Sequence, residues 1–364
     1  MTIKEVIQTL EEMAPLAYAE GFDNTGLLVG DENKNITGVL VTLDTLEAVI
    51  DEAISNNCNL IISFHPIIFS GLKKLTGQNY VERVVQKAIK NDIAIFSIHT
   101  ALDNAWNGVN SMICEKLGLI NRSILIPKKE TIKKLIAFVP ISEAKKVREA
   151  LFDSGAGEIG NYSNCSFNIQ GTGSFKGNEN SKPVKGKQGE IHYEEEVQIG
   201  VTFQKHLQSS ILKALFKAHP YEEIAYEITT LENQNQHIGM GMIGEFKNEK
   251  TEEEFLSLLK KNMKTECVRH SKLKSKDIKK VAVLGGSGSF AIEAAKSAGV
   301  DAFVTADLKY HDFFKAENDL FLADIGHYES EQYTKELLHS FLTKKMINFA
   351  VVLSQINTNP ISYF

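Results

Sequence analysis

His327 and Glu331 stand four residues apart in Asp324-Ile-Gly-His-Tyr-Glu-Ser-Glu331. At this spacing an imidazole and a carboxylate share one face if the backbone is helical. That pair suits zinc or another divalent transition metal. The alternative is a plain helix N-terminus, where Glu329 and Glu331 complement the dipole and His327 is a turn residue. The same spacing recurs at His99 and Asp103, after the apolar run from Ile93 to Ile98. His65 ends a third apolar run, Leu60-Ile-Ile-Ser-Phe-His65, and Pro66 after it favours an extended backbone. Open α/β sheets place ligands beyond such strand ends. A lone histidine there is more often structural, and only partner ligands would make it part of a metal site.

Gly286, Ser287 and Gly288 form a further chemical feature. With Ala291 they satisfy G-x-G-x-x-A between a strand and a helix, and Asp307 follows after another strand. In outline this matches a dinucleotide fingerprint. A substrate phosphate resting on the amides of Gly286, Ser287 and Gly288 is the better reading, and a tight turn that lets small residues pack is the plain one.

The elements that position these residues repeat. Glu52 to His65 corresponds to Glu293 to Asp307, each a helix end, a turn, a buried strand and a polar strand end. His99 then matches His327. The chain therefore reads as two related α/β halves, residues 1–128 and 241–364, forming one metal-binding core. Residues 129–240 read differently. Strands are expected at Lys134–Val139, Ser166–Gln170, Glu195–Phe203 and Ile224–Thr229, and helices from a Ser142 cap to Leu151 and from His206 to Ala218. Gly171 to Gly189 reads as a hairpin loop. This order, βαβ-βαβ, predicts an inserted ferredoxin-like α+β domain. His219, Tyr221 and Glu222 follow its second helix and are candidates to line a small-molecule or subunit interface. A helix end stopped by Pro220 is the competing reading.

Composition narrows the function classes. Hydrophobic residues make up 43% and charged residues 24%, as in a globular protein. The net charge of -6 gives no nucleic-acid signal. The four cysteines, Cys58, Cys114, Cys165 and Cys267, form no C-x-x-C. No apolar run approaches the roughly 18 residues of a membrane span, and no signal peptide opens the chain. A cytoplasmic location is expected.

Phe22-Asp-Asn-Thr-Gly-Leu-Leu-Val-Gly30, His65-Pro-Ile-Ile-Phe69, His99-Thr-Ala-Leu-Asp103, Val283-Leu-Gly-Gly-Ser-Gly288 and Gly326-His-Tyr-Glu-Ser-Glu331 occur in this order. Together they resemble the NGG-interacting-factor-three-like family, dinuclear-metal-centre hexameric proteins that carry the label GTP cyclohydrolase type 2 homologue. Ala218-His-Pro-Tyr-Glu-Glu-Ile-Ala-Tyr226 is similar to the PII- or CutA-like insert of the longer bacterial members. The resemblance implies metal ligands at His65, Asp103, His327 and Glu331, with Glu331 bridging two ions. It also implies a toroidal homohexamer capped by the inserts. The family commonly has a second histidine before the proline, and Phe64 stands there. One or two divalent ions per chain (Zn, Fe or Mn) are therefore expected, with His99 ranked ahead of Asp307 and His311 as the compensating ligand. Metal-dependent hydrolysis of a nucleotide or phosphoester follows as the expected activity. A non-enzymatic metal- or metabolite-binding assembly is the alternative, and a dinucleotide-binding oxidoreductase a third reading.

Overall fold

The computed structural model describes residues 1–317 and 319–364. The chain forms two compact units, Met1–Pro127 with Gln236–Phe364, and Lys128–Asn235. In the first unit the chain runs through α1 (Ile3–Glu11), β1 (Gly26–Val29), β2 (Val39–Thr42), α2 (Glu47–Ser55), β3 (Leu60–Ser63), α3 (Tyr80–Lys90), β4 (Ala94–Ser97), α4 (His99–Asp103), α5 (Val109–Leu117) and β5 (Ile120–Pro127). The second unit contains β6 (Ile132–Pro140), α6 (Ala144–Asp153), β7 (Phe167–Lys176), β8 (Ile191–Gln204), α7 (Gln208–Ala218) and β9 (Tyr226–Leu231). The first unit resumes with β10 (Gly239–Lys250), α8 (Glu252–Met263), β11 (Arg269–His270), β12 (Ile278–Ser287), α9 (Ile292–Ser297), β13 (Ala302–Ala306), β14 (Phe321–Asp324), α10 (His327–Glu331), α11 (Thr334–Lys345) and β15 (Val351–Leu353).

The first unit holds two sheets, in the orders β1-β4-β3-β2-β15 and β11-β14-β13-β12-β10-β5. Parallel triplets lie at the heart of both, β2-β3-β4 and β12-β13-β14. β2, β3, β4, β13 and β14 are buried along their length, and β12 from Val281 to Gly286, because both faces are covered. Leu60, Ile62 and Phe96 share a core with Val281, Val283 and Val304 of the other sheet, and with Val109, Ile113 and Leu117 of α5. Ile61 and Ile95 point the other way, onto Val49, Ile50 and Val84 of α2 and α3. The repeat seen in the sequence is thus a structural repeat. It even produces matching single-turn helices, α4 from His99 to Asp103 and α10 from His327 to Glu331.

The two segments exchange strands at the sheet edges, which the sequence reading did not anticipate. β5 pairs with β10 in the second sheet, and β15 pairs with β2 in the first. Gly239 and Met240, expected in the insert, therefore begin a core strand. Pro127 lies opposite Gly239 across the β5–β10 ladder, so the intervening unit leaves and returns at one hairpin position. Replacing residues 128–235 by Asn-Gly leaves a five-residue hairpin connection. The shortened chain is expected to unfold cooperatively and keep its metal, checked by calorimetry and metal analysis. An insoluble or metal-free product would show that the insert belongs to the core.

The second unit is a ferredoxin-like βαββαβ domain with sheet order β7-β8-β6-β9, every neighbour antiparallel. Leu135, Ala137 and Val139 alternate onto Val147, Leu151, Ile211 and Leu215 of its helices. Two details correct the sequence reading. Ser142 makes no cap, because a 3-10 turn (Ile141–Glu143) precedes α6 and no side chain bonds its N-terminus. β7 continues to Lys176, so the glycines expected in a loop, Gly171 and Gly173, sit in a strand.

Candidate metal centre

Strand ends of both sheets deliver the site. β3 ends before His65, and β14 ends before Gly326, whose φ of 91° turns the chain sharply into α10. His65, His327 and Glu331 come together there, offering ligand atoms that all lie within 4.8 Å of one another. Glu331 Oε2 lies 3.0 Å from His65 Nε2 and 3.2 Å from His327 Nε2. The other ring nitrogens are already engaged. His65 Nδ1 meets Asp44 Oδ1 at 2.7 Å, and His327 Nδ1 meets Asp307 Oδ2 at 2.7 Å. An Nδ1–H donated to a carboxylate fixes the tautomer and leaves the Nε2 lone pair directed inward, the arrangement typical of metal-ligating histidines. With both rings neutral, two imidazole lone pairs and a carboxylate would face one another with no hydrogen between them. A cation relieves that repulsion, and added protons do so in its place. The donor set fits a divalent ion.

Asp103 lies outside this tight group but belongs to its surroundings. Its Oδ1 is buried and has no hydrogen-bond partner among the described residues. Burial first, and then the Glu331 charge, push its carboxyl well above the usual range. Asn110 on α5 holds the Asp103 carbonyl at 3.1 Å and accepts from the Gly285 amide at 3.0 Å, tying α4 to β12.

His99 repeats the outer pattern. Its Nδ1 lies 2.8 Å from Asp23 Oδ1, and its ring centroid lies 5.4 Å from that of His65. Asp23 also accepts from the Thr100 amide at 3.1 Å. Burial opposes its ionisation, but these bonds outweigh it and hold Asp23 down to about 2. His99 has φ of 26° and Asp307 φ of 56°, positions that side chains other than glycine avoid. Such strain persists only where surrounding contacts enforce it. Phe64 is fully buried between these rings, 4.9 Å from His65 and 5.5 Å from His99 centroid to centroid. It seals one side without offering a ligand. His311 stands elsewhere, packed on Tyr310 and Phe314.

The glycine turn packs against the centre. The Gly286 amide donates to Ser330 Oγ at 2.9 Å, and the Gly288 amide to the Ala306 carbonyl at 3.4 Å. Ser287 Oγ donates to Asp307. The Gly286 and Gly288 amides are thus spent inside the chain. Asp307, the acid of the dinucleotide outline, orients His327 instead. The sequence reading also missed Asp44, Asn110 and Ser330. Asp44 carried a signal, an acid just past the end of β2.

Burial alone would lower the imidazoles, but their carboxylate bonds raise His65 to about 10 and His327 to about 11. Both therefore carry protons at neutral pH in the metal-free chain, and an incoming cation must displace them. Affinity for Zn(II) is expected to rise by about ten-fold or more per pH unit between pH 6 and 8. Calorimetry in buffers of different ionisation enthalpy counts the released protons. A pH-independent affinity would contradict this centre.

These strand ends and their carboxylate-held histidines occur in a chain that matches the Duf34/NIF3 (NGG1p interacting factor 3) model over residues 1–360. The protein belongs to that family. It is 40% identical over 366 residues to the GTP cyclohydrolase 1 type 2 homolog of Bacillus subtilis, covering 99% of this chain and 98% of that one. It is 39% identical over 363 residues to the Halalkalibacterium halodurans protein of the same name, covering 98% of each. Among solved structures, a Bacillus cereus protein related to NIF3 superposes with a TM-score of 0.86 at 38% identity, covering 100% of this chain and 99% of the other. No helix among the described residues is long and apolar enough to cross a membrane.

Proposed function

We propose that this protein is a divalent-metal-dependent hydrolase acting on a nucleotide or phosphoester. The observation that carries the reading is the convergence of His65 Nε2 and His327 Nε2 on one oxygen of Glu331, each ring locked from behind by an aspartate. The name of the 40% identical relative, GTP cyclohydrolase 1 type 2 homolog, supports a nucleotide substrate. A divalent ion at such a site supplies Lewis acidity and a water of lowered pKa.

His65, His327 and Glu331 hold the ion, and Asp103 and His99 stand ready for a second. Asp44, Asp307 and Asp23 fix the rings, so the ligands need little reorganisation on binding. Phe64 and α5 exclude water from the inner side. Zn, Fe and Mn each suit the mixed imidazole and carboxylate set. A cytoplasmic homo-oligomer, a hexamer on the family resemblance, completes the reading, and light scattering measures it.

The test is metal analysis of untagged protein, followed by turnover of GTP and of p-nitrophenyl phosphate with and without chelator. Chelator-sensitive turnover restored by one of these metals is the expected result. Stoichiometric metal without turnover of either compound would favour a regulatory assembly. Phe64→His, which adds a ligand beside His65 and His99, is expected to raise the metal content per chain. An unchanged content with two ions already present would show that the ring at position 64 costs nothing.

A further inference from the structure

The chain continues past β15 into a tail that runs beside the metal centre. Its root is fixed to the first sheet. The Ser354 amide donates to the Val41 carbonyl at 2.9 Å, the Gln355 amide to Glu52 Oε1 of α2 at 2.8 Å, and Lys335 Nζ of α11 to the Ser354 carbonyl at 2.9 Å. Ile356 packs onto the core under α2 and α3. Beyond it the tail is shaped by its own side chains. Asn357 Oδ1 accepts from the Asn359 amide, and Asn359 Oδ1 from the Ile361 amide, each at 3.0 Å, as in Asx-turns.

Two adjacent residues of this tail reach opposite sides of the centre. Thr358 is buried, and its hydroxyl donates to Asp44 Oδ2 at 2.6 Å. The other Asp44 oxygen is the one that holds His65 Nδ1. Asp44 stands in a bend after β2, so a partner on its second oxygen fixes the plane of the carboxylate and with it the aim of the ring. Asn359 reaches the second half of the core. Its Oδ1 is engaged by Ile361, which sets the orientation of the amide and leaves Nδ2–H to donate to Glu329 Oε1 at 3.1 Å. Glu329 is buried on α10 between His327 and Glu331, and its Oε2 has no hydrogen-bond partner among the described residues. A buried carboxylate is held in place by such bonds, and α10 is a single turn whose N-terminus no side chain caps. The Tyr363 hydroxyl stands 3.1 Å from where a Cβ on Gly326 would lie, over the turn that opens α10.

We propose that Thr358 and Asn359 are positioning residues of the metal centre. The tail clamps Asp44 from one half of the core and Glu329 from the other, and so sets how His65 faces His327 and Glu331. The inference rests on the metal-centre reading and is independent of the reaction the centre performs.

Zn(II) affinity of the full chain, measured by competition with a chromophoric chelator, tests it. Tight binding by the unaltered chain and its loss in Glu331→Ala establish the centre, whatever the tail does. Thr358→Val keeps the shape of the side chain and loses the hydroxyl. It is expected to bind Zn(II) about ten-fold more weakly, the lower end of the range for outer partners of metal ligands. Thr358→Ser, which keeps a hydroxyl, should restore the affinity. Asn359→Ala should lose a factor similar to Thr358→Val. Gln355→Ala is the control within the tail, because its side chain donates to the Leu353 carbonyl and touches neither clamp. It should bind as the unaltered chain does. The visible absorption of bound Co(II), which reports ligand geometry, should change in Thr358→Val, whereas a tail that only stabilises the fold would leave it as it is. Circular dichroism verifies that the variants fold. Unchanged Zn(II) affinity in either folded clamp variant, no restoration by Thr358→Ser, an unchanged Co(II) spectrum, or an equal loss in Gln355→Ala would each overturn the proposal with the centre intact. No binding by the unaltered chain would overturn the centre and the proposal together.

Discussion

Glu331→Ala is expected to lose essentially all bound metal while the chain stays folded. The carboxylate is the one group that both histidines face, at 3.0 and 3.2 Å. Removing an outer partner of a ligand costs roughly 10–100-fold in affinity, so losing the shared ligand should exceed about 100-fold. The fold does not depend on it. Glu331 sits on a single-turn helix whose neighbours Ile325, Tyr333 and Leu338 supply the packing. In the metal-free chain Glu331 is held below the ordinary carboxylate range, because its histidine bonds outweigh the effect of burial. Its truncation therefore removes the support that keeps His65 and His327 protonated, and both should titrate at lower pH. Metal analysis and NMR titration of the imidazoles measure the two effects separately. Stoichiometric metal in the purified variant would sink the assignment.

Gly286→Ala is expected to act on the same site from the other side. Gly286 has φ of 69°, and a Cβ there would lie 2.5 Å from Glu331 Oε1 and 3.4 Å from His327 Cε1. The backbone strain alone costs about 1–2 kcal/mol. The overlap must also push the Glu331 carboxylate off the imidazoles, since β12 is fixed in mid-sheet between β13 and β10. We expect a lower thermal midpoint together with a loss of most bound metal. Gly21→Ala is the control, because nothing lies within 4 Å of a Cβ there. Normal metal content in Gly286→Ala would mean that Glu331 is free to move, and that its placement against β12 does not define the centre.

The order of elements was legible because local patterns carry it. Continuous apolar runs marked β3, β4, β13 and β14, since strands covered on both faces need no polar alternation. The repeated His-x3-acid spacing marked α4 and α10, because four residues are about one helical turn. Strand ends and histidines thus marked the candidate site in the sequence, and the βαββαβ order marked the insert.

What the sequence could not decide is which polar groups meet. Asp44, Asp23 and Asp307 lie 21, 76 and 20 residues from the histidines they hold. Nothing local distinguishes such an aspartate from a solvated one. The surroundings of the glycine turn were hidden for the same reason. Its amides are donors in any turn, and only the packing of α10 against β12 shows that Ser330 takes one of them and that Glu331 fills the space left by the missing Cβ. The exchange of β5 and β15 between sheets was equally hidden, since edge pairing is chosen by which strand reaches an open ladder. Residue type and spacing determined the histidines and Glu331 as candidate donors. Tertiary structure alone decided their tautomers, their charge and the company they keep.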